Sequence, residues 1–336
     1  MRSVTMSDIA QEAKVSKTTV SKVLNNREIN VSDSTRQNIL NIAKRLNYIP
    51  NGVARSLTTR RTNTIGIILP DIENPFFAAM AKTIEEMAEN RGYNVILCNS
   101  YNNEEKEDKY IRLLISKLVD GVIYGSGGNS KESLNVLRSN KVPFVVVDRY
   151  IDSTYKYSGV FSKNIEGVKR GVRYLYDLNH RNIAFVGGSC KVKLAKMRNE
   201  SYVEISKELG VYNKDLMVEA DFSIEGGMRA TENLLSITKD IDAIFYSSDV
   251  MALGGMKYLI RHGYKIPDDI SVLGFDNINI SALFEPELTT VAQPIYEIGK
   301  TSCELLIDII EKNCEDRIIE LDTNLIQRNS VKMKTE

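Results

Sequence analysis

The chain has 336 residues, 43% hydrophobic and 26% charged, a composition of ordinary globular proteins and a length that calls for two or three domains. Four cysteines standing singly (Cys98, Cys190, Cys303, Cys314) and two distant histidines (His180, His262) argue against a zinc site, a disulfide framework or a histidine-based triad. No apolar run approaches the roughly 20 residues of a membrane span, and MRSVTMSDIAQ lacks a signal-peptide core, so a cytoplasmic protein is expected.

The net charge of zero hides two opposite parts. Residues 1–61 hold eleven Lys/Arg against four Asp/Glu, a net of +7, so the remainder carries −7. A basic head on an acidic body points to a polyanionic partner for the head alone.

Residues 5–13 (TMSDIAQEA) predict a short helix, capped by Thr5 with Asp8, with Ile9, Ala10 and Ala13 as its buried stripe. A break at Lys14-Val15 leads to Ser16, the cap of a second helix, KTTVSKVLN, whose Val20, Val23 and Leu24 share one face. A third helix runs from Ser32 or Asp33 to about Asn47, with Ile39, Ile42, Ala43 and Leu46 at helical spacing. Two short helices joined by a tight turn make a helix-turn-helix. The outer face of the second helix carries Lys17, Thr18, Ser21 and Lys22. Lysine reaches guanine acceptors and threonine meets a thymine methyl, so this face suits a major groove. Ser16, Thr19 and Asn25 can donate to phosphates and set the register.

VTMSDIAQEAKVSKTTVSKVLNN and VSDSTRQNILNIAKRLNYIPNGVARSL resemble the headpiece of the LacI/GalR family of bacterial transcription regulators, over residues 4–57. Lys14 departs from the pattern, which often has Gly at this turn, so modest left-handed strain is expected there. Read alone, Asn51–Leu57 is a linker, because seven residues containing Gly52 cannot hold a helix. The resemblance implies a hinge helix formed when two subunits meet over the centre of a palindromic, double-stranded operator. Leu57 would wedge into a minor-groove step, with Arg55 at the adjacent phosphates. Thr5, Asn51, Val53 and Ala54 complete the expected DNA-contacting set.

From Thr64 onward, strand-like runs alternate with helical stretches: TIGIILP (64–70), NVILCNS (94–100), DGVIYG (120–125), PFVVVDR (143–149), NIAFVGG (182–188), AIFYSSD (243–249) and SVLGFD (271–276). Repeated strand–helix units predict an α/β core of parallel sheets covered on both faces. The pattern restarts near Asn182, which predicts two similar lobes, about 62–161 with 294–325, and 162–293 with 326–336. They follow a headpiece (1–49) and a linker (50–61).

Parallel sheets bind ligands beyond the carboxyl ends of their strands. Asp71, Asp148, Ser248-Asp249 and Asp276 stand at such ends, Asp221-Phe222 end another apparent strand, and Phe76 and Phe77 follow Asp71. Carboxylates with flat apolar rings suit a polyhydroxylated ligand. Taken singly, a Phe pair opening a helix is usually core, and an Asp after a strand is often a helix cap. DIENPFF, VVVDR, MRNESY, ADFSIEGG, SSDVMALGGMKYL and VLGFDNINISALFEPELTTVAQP resemble the periplasmic-binding-protein-like core of the same family, over nearly all of 62–330. That resemblance implies effector contacts at Phe76, Phe77, Asp148, Arg198, Phe222, Ser248 and Asp276, to which the reading of strand ends adds Asp71. Arg198 would clamp vicinal hydroxyls or a carboxylate. Ser201, where Gly is common, and Ser248, where a longer amide is common, are expected to alter the pocket.

GSGGNSKE (125–132) is a decoy: Ser130 and Glu132 break a phosphate loop, and the third Gly of a dinucleotide motif is missing. The glycine pairs of GGMRA and LGGMK carry no signal. Without a phosphate loop or catalytic constellation, an enzyme is not expected, nor is a cofactor. A periplasmic sugar-binding protein would share the body but not the headpiece. NVILCNSYNNEEKE and QPIYEIG also resemble carbon-catabolite control regulators, whose corepressor is a phosphorylated carrier protein. Here the following helix, KTSCELLIDIIEKN, puts Glu304 at the expected cationic position, which would repel a phosphoserine. The expectation is a homodimeric transcription regulator, most simply a repressor of carbohydrate genes, controlled by a sugar or sugar derivative. QRNSVKMKTE offers no leucine-heptad tail for tetramers.

Overall fold

The structure is a computed structural model that describes residues 4–25, 28–49, 61–125, 131–151, 155–312 and 314–335, in two units, 1–62 and 63–336. The hinge candidates Asn51, Val53, Ala54, Arg55 and Leu57, and most of the GSGGNSKE loop, lie outside the described residues. Among the described residues no helix is long and apolar enough to cross a membrane, and no group of His, Cys, Asp and Glu is arranged to hold a metal ion.

The first unit contains α1 (Met6–Ala13), α2 (Lys17–Leu24) and α3 (Asp33–Arg45). Asp8 accepts both the backbone N–H and the hydroxyl of Thr5 at 2.8 Å, and Ser16 accepts the Thr19 N–H at 3.0 Å. These satisfy donors that a helix start leaves open. Lys14 ends α1 at φ 53°, the left-handed conformation expected of it, and the Val15 N–H returns to the Ala10 carbonyl at 3.0 Å. Ile9, Val20, Val23 and Ile39 meet in a small buried core, and Arg45 of α3 pairs with Glu12 of α1. α3 stops at Arg45, two residues short of the expected end.

The second unit opens with β1 (Thr64–Leu69), α4 (Pro75–Asn90), β2 (Asn94–Asn99), α5 (Glu104–Ser116), β3 (Gly121–Tyr124), α6 (Lys131–Ser139), β4 (Phe144–Val147) and β5 (Ser158–Ser162). The chain then crosses to α7 (Asn164–Asp177), β6 (Ile183–Gly188), α8 (Lys193–Glu208), β7 (Met217–Ala220) and α9 (Ile224–Ile237). It continues through β8 (Ala243–Tyr246), α10 (Asp249–Arg261), β9 (Ser271–Asp276) and β10 (Thr289–Ala292). It returns for α11 (Ile295–Lys312) and β11 (Ile318–Leu321), and ends on β12 (Asn324–Ile326). The first sheet has the order β11-β5-β4-β3-β1-β2, all parallel. The second has the order β12-β10-β9-β8-β6-β7, parallel except for β12.

The last change of lobe departs from the expected boundary at 325. Ile318–Leu321 pairs with β5, whereas Asn324–Ile326 already pairs with β10, so the crossing falls at 322–323. The short edge strands β11 and β12 are half exposed, so neither shows the continuous apolar run of a central strand.

Strand residues alternate between two helical layers. Ile67, Ile123, Val145 and Val147 pack with α4 and α11, while Ile68, Val122, Tyr124 and Val146 pack with α5 and α6. In the second lobe, Ala184, Val186, Ile244 and Tyr246 pack with α9 and α10, and Phe185, Phe245 and Phe275 with α7 and α8. Burial on both faces explains why these runs are apolar throughout rather than alternating.

The glycine pairs set aside in the sequence have a packing role where α9 crosses α10. A Cβ on Gly254 would lie 2.0 Å from the Ile224 carbonyl oxygen, and one on Gly227 2.0 Å from that of Met251. Because the obstacle is backbone, no side-chain rotation relieves it. Gly254→Ala is expected to lower stability by about 1–3 kcal/mol, read from the urea midpoint at unchanged m-value.

Candidate DNA-binding face and ligand cleft

On the head, Lys17, Thr18 and Lys22 of α2 are exposed and Ser21 is half-buried, while Val20 and Val23 are turned into the core. The N-terminal half of α2 thus presents short polar and cationic side chains to one side. Ser16 bonds the Thr19 hydroxyl at 2.9 Å, and Asn25 donates to the Ser21 carbonyl at 2.7 Å. These three fix the two ends of α2. Thr5 is tied to Asp8 at the start of α1.

In the body, the carboxyl ends of the strands of both sheets converge on one small, partly open space. It is lined by Asn74, Phe76, Phe77, Asp148, Arg149, Leu194, Arg198, Phe222, Ser248, Asp276 and Gln293. Seven of the eight expected effector residues are therefore brought together. Asp71 is not: its Oδ1 turns back to accept the Glu73 N–H at 3.0 Å, as the first residue of an Asx turn. Ser201 also stays out of the lining, its hydroxyl donating to the Met197 carbonyl at 2.6 Å within α8.

The first lobe supplies one wall. Pro75 opens α4, and Asn74 caps it by accepting the Phe76 N–H at 3.0 Å. Phe76 and Phe77 meet edge to face at 5.0 Å. After β4, Asp148 turns at φ 63°, buried beside Arg149, whose Nε lies 3.8 Å from its carboxylate. Arg149 donates to Asn102 Oδ1 at 2.8 Å, and its guanidinium lies 5.7 Å from the Phe77 ring centre. Burial raises the Asp148 carboxyl above its usual range, opposed by Arg149 and Arg198. Burial likewise lowers Arg149.

The second lobe supplies the other. Arg198 of α8 is 2% exposed and donates from all three of its nitrogens. Its Nε and one terminal nitrogen donate to Asn164 Oδ1 at 2.9 and 2.8 Å, and the other terminal nitrogen donates to the Ser247 carbonyl at 2.6 Å. Its guanidinium stacks 3.9 Å from the Phe275 ring centre and lies 3.9 Å from Asp276. Gln293 Nε2 donates to Asp276 at 2.7 Å. Ser248 caps α10 by accepting the Val250 N–H at 3.2 Å, and it also lines the space.

The volume of this space is about 30 Å³, a few waters' worth, far below the roughly 300 Å³ and more of a ligand pocket. Entry of a ligand therefore requires the two walls to separate. The fold carries three strand-to-strand or strand-to-helix crossings between the lobes, at β5–α7, β10–α11 and β11–β12, about which they can part.

Burial pushes the Asp276 carboxyl up to about 8, outweighing the opposing charge of Arg198. A group that binds its proton more tightly when folded stabilises fully below its unfolded value near 3.8, and that contribution is lost as pH rises towards about 8. Asp276→Asn removes this titration. The fall in stability between those pH values should flatten in the variant, measured by urea unfolding across the range.

Asn74, Arg149, Leu194, Gln293 and the Arg198-orienting Asn164 were not singled out in the sequence. Three sat inside segments already noticed: Asn74 in DIENPFF, Arg149 in VVVDR and Gln293 in VAQP.

Both parts of the chain match known families. Residues 5–51 match the family model described as bacterial regulatory proteins, lacI family. Residues 62–329 match that of periplasmic binding proteins and the sugar binding domain of the LacI family. The chain is 40% identical to a ribose operon repressor of Halalkalibacterium halodurans, over 98% of this chain and 97% of that one. It is 37% identical to catabolite control protein A of Priestia megaterium, over 98% and 99%. Among solved structures, the lac repressor dimer bound to operator and the anti-inducer ONPF superposes with a TM-score of 0.90 at 25% identity, covering 98% of this chain and all of that one. A LacI-family regulator of Enterococcus faecium with bound ribose superposes with a TM-score of 0.74 at 30% identity, covering 81% and all. A helix-turn-helix head followed by a two-lobed α/β body, matched along nearly its whole length, means that this chain belongs to the LacI family of bacterial regulatory proteins.

Proposed function

We propose that the protein acts in the cytoplasm as a dimeric repressor whose hold on a palindromic operator is set by a neutral pentose, ribose foremost, bound between the lobes. DNA-binding regulation is the work of the family, which is not one of enzymes. The ligand reading is carried by one observation: each wall of the cleft pairs a carboxylate with a guanidinium, Asp148 with Arg149 and Asp276 with Arg198. Adjacent acceptor and donor groups match a vicinal diol, each hydroxyl of which both gives and takes a hydrogen bond. Phe76, Phe77 and Phe222 offer flat apolar faces to the C–H side of such a ring. The kinship to a ribose operon repressor makes ribose the first compound to try.

The test is calorimetric titration with ribose and a panel of pentoses and hexoses, alongside operator binding with and without each sugar. Saturable binding of a pentose that changes operator affinity supports the reading. Operator binding that no sugar alters removes it.

We assign base contacts to Lys17, Thr18, Ser21 and Lys22 and phosphate contacts to Ser16, Thr19 and Asn25, a reading supported by the exposure of Lys17, Thr18 and Lys22 on one side of α2; the hinge set is expected within residues 51–57. Lys22→Ala is expected to cost about 1–3 kcal/mol on the true operator and to relax preference at particular base pairs. Equal weakening on every sequence would make Lys22 a phosphate contact.

The 37% identity to catabolite control protein A favours a second reading, control by a phosphorylated carrier protein. Glu297 and Glu304 lie exposed on α11, the helix expected to meet that partner. Glu304, at the position expected to carry a cation, repels a phosphoserine, so the small ligand is the better reading.

A further inference from the structure

The second wall of the cleft rests on strained backbone. Asp276 has φ 123° and Asn277 φ 60°, consecutive residues in conformations that L side chains rarely adopt. Such a conformation persists only where its surroundings over-determine it. Two sets of contacts do so here. Just after β10, Gln293 donates through Nε2 to Asp276 Oδ1 at 2.7 Å and through its backbone N–H to the Asp276 carbonyl at 3.2 Å. From the other side comes Asp249, fully buried at the first position of α10. Its Oδ2 accepts the Ile278 N–H at 3.0 Å and the Ser281 hydroxyl at 2.7 Å, and its Oδ1 accepts the Thr290 hydroxyl at 2.6 Å.

Space is kept for this carboxylate. Gly274 of β9 lies against it, and a Cβ there would stand 2.1 Å from Asp249 Oδ1. Asp249 is not among the residues that line the cleft. It gathers the chain just after Asp276, the turn Asn279–Ala282 and β10 onto one buried carboxyl group. A carboxylate is suited to this: it takes several donors at once, and an amide in its place would set its own N–H groups against some of them.

We propose that Asp249 is a positioning residue of the ligand site, holding the Asp276–Asn277 turn in the strained conformation that presents the Asp276 carboxylate to the cleft. The competing role is structural, an acidic side chain favouring the N-terminus of α10. That role would change stability without acting through Asp276.

The test uses the full chain and two variants, Asp249→Asn and the milder pair Ser281→Ala with Thr290→Val, which serves if the first does not fold. The first readout is a crystal structure of the variant. A return of Asp276 to negative φ, with loss of the Gln293 Nε2 bond, is expected; an unchanged turn overturns the proposal whatever the ligand is. The second readout is a double-mutant cycle on the ribose dissociation constant, and it alone rests on the reading of the cleft as a pentose site. Asp249→Asn should weaken ribose binding by about 10- to 100-fold when Asp276 is present, and by less than about twofold in an Asp276→Asn background. Equal losses in both backgrounds overturn it. If ribose fails to bind the unaltered protein, the pentose reading falls, and the φ of Asp276 in the variant decides this inference by itself.

Discussion

Arg198→Met is expected to lower the stability of the body by about 3–5 kcal/mol and to remove ligand binding altogether. The guanidinium is 2% exposed and supplies donors to Asn164 and to the Ser247 carbonyl from three nitrogens. Methionine fills much of the volume but leaves those acceptors unpaired in a dry interior. Asp276 and Asp148 also lose the charge that opposes the effect of their burial, so both carboxyls hold their protons more tightly still. Urea unfolding gives the stability, and calorimetry with ribose gives the binding. A loss below about 1 kcal/mol would mean that solvent reaches the site and that the two lobes do not enclose it.

Asp276→Ala is expected to uncouple the two ends of the molecule. Operator binding without ligand should stay within about twofold of the unaltered protein, because the head folds on its own small core. The ligand, however, loses its acceptor on the second wall, and Gln293 Nε2 loses its partner. Unmet buried donors cost about 1–3 kcal/mol. That matches the whole range of a typical coupling energy, 5- to 150-fold in affinity, so the ligand's effect on operator binding should vanish. Operator titrations with and without ribose read this directly. A variant that responds at unchanged ribose concentration would take Asp276 out of the site.

The head could be read almost completely from its residues, because its signals are local. Thr5 with Asp8, Ser16 with Thr19, and the stripe Ile9, Val20, Ile39 each lie within a few residues of a helix they start or bury. Most central strands were equally plain, since burial on both faces demands unbroken apolar runs such as those of β1, β6 and β9, but β5 and β10, central yet short and rich in Ser, Thr and Gly, were missed.

The edge strand β2 was read as NVILCNS, but β11 and β12 were not, because they are short and half of each faces outward. The glycines of α9 and α10 looked uninformative for a related reason: their purpose is the carbonyl of another helix, 2.0 Å from where a side chain would begin. Asp71 and Asp148 looked alike as carboxylates after a strand, yet the backbone turned one back onto Glu73 and brought the other into the cleft. Asn164 was invisible as a partner of Arg198 because the two residues meet only through the packing of α7 against α8. Residue type and spacing determine which groups can do chemistry and which helices and strands form, since those follow from nearest neighbours along the chain. Which carboxylates share a space, which guanidinium each one meets and how hard burial pushes their protons are long-range quantities, and they exist only once two sheets have placed their strand ends face to face.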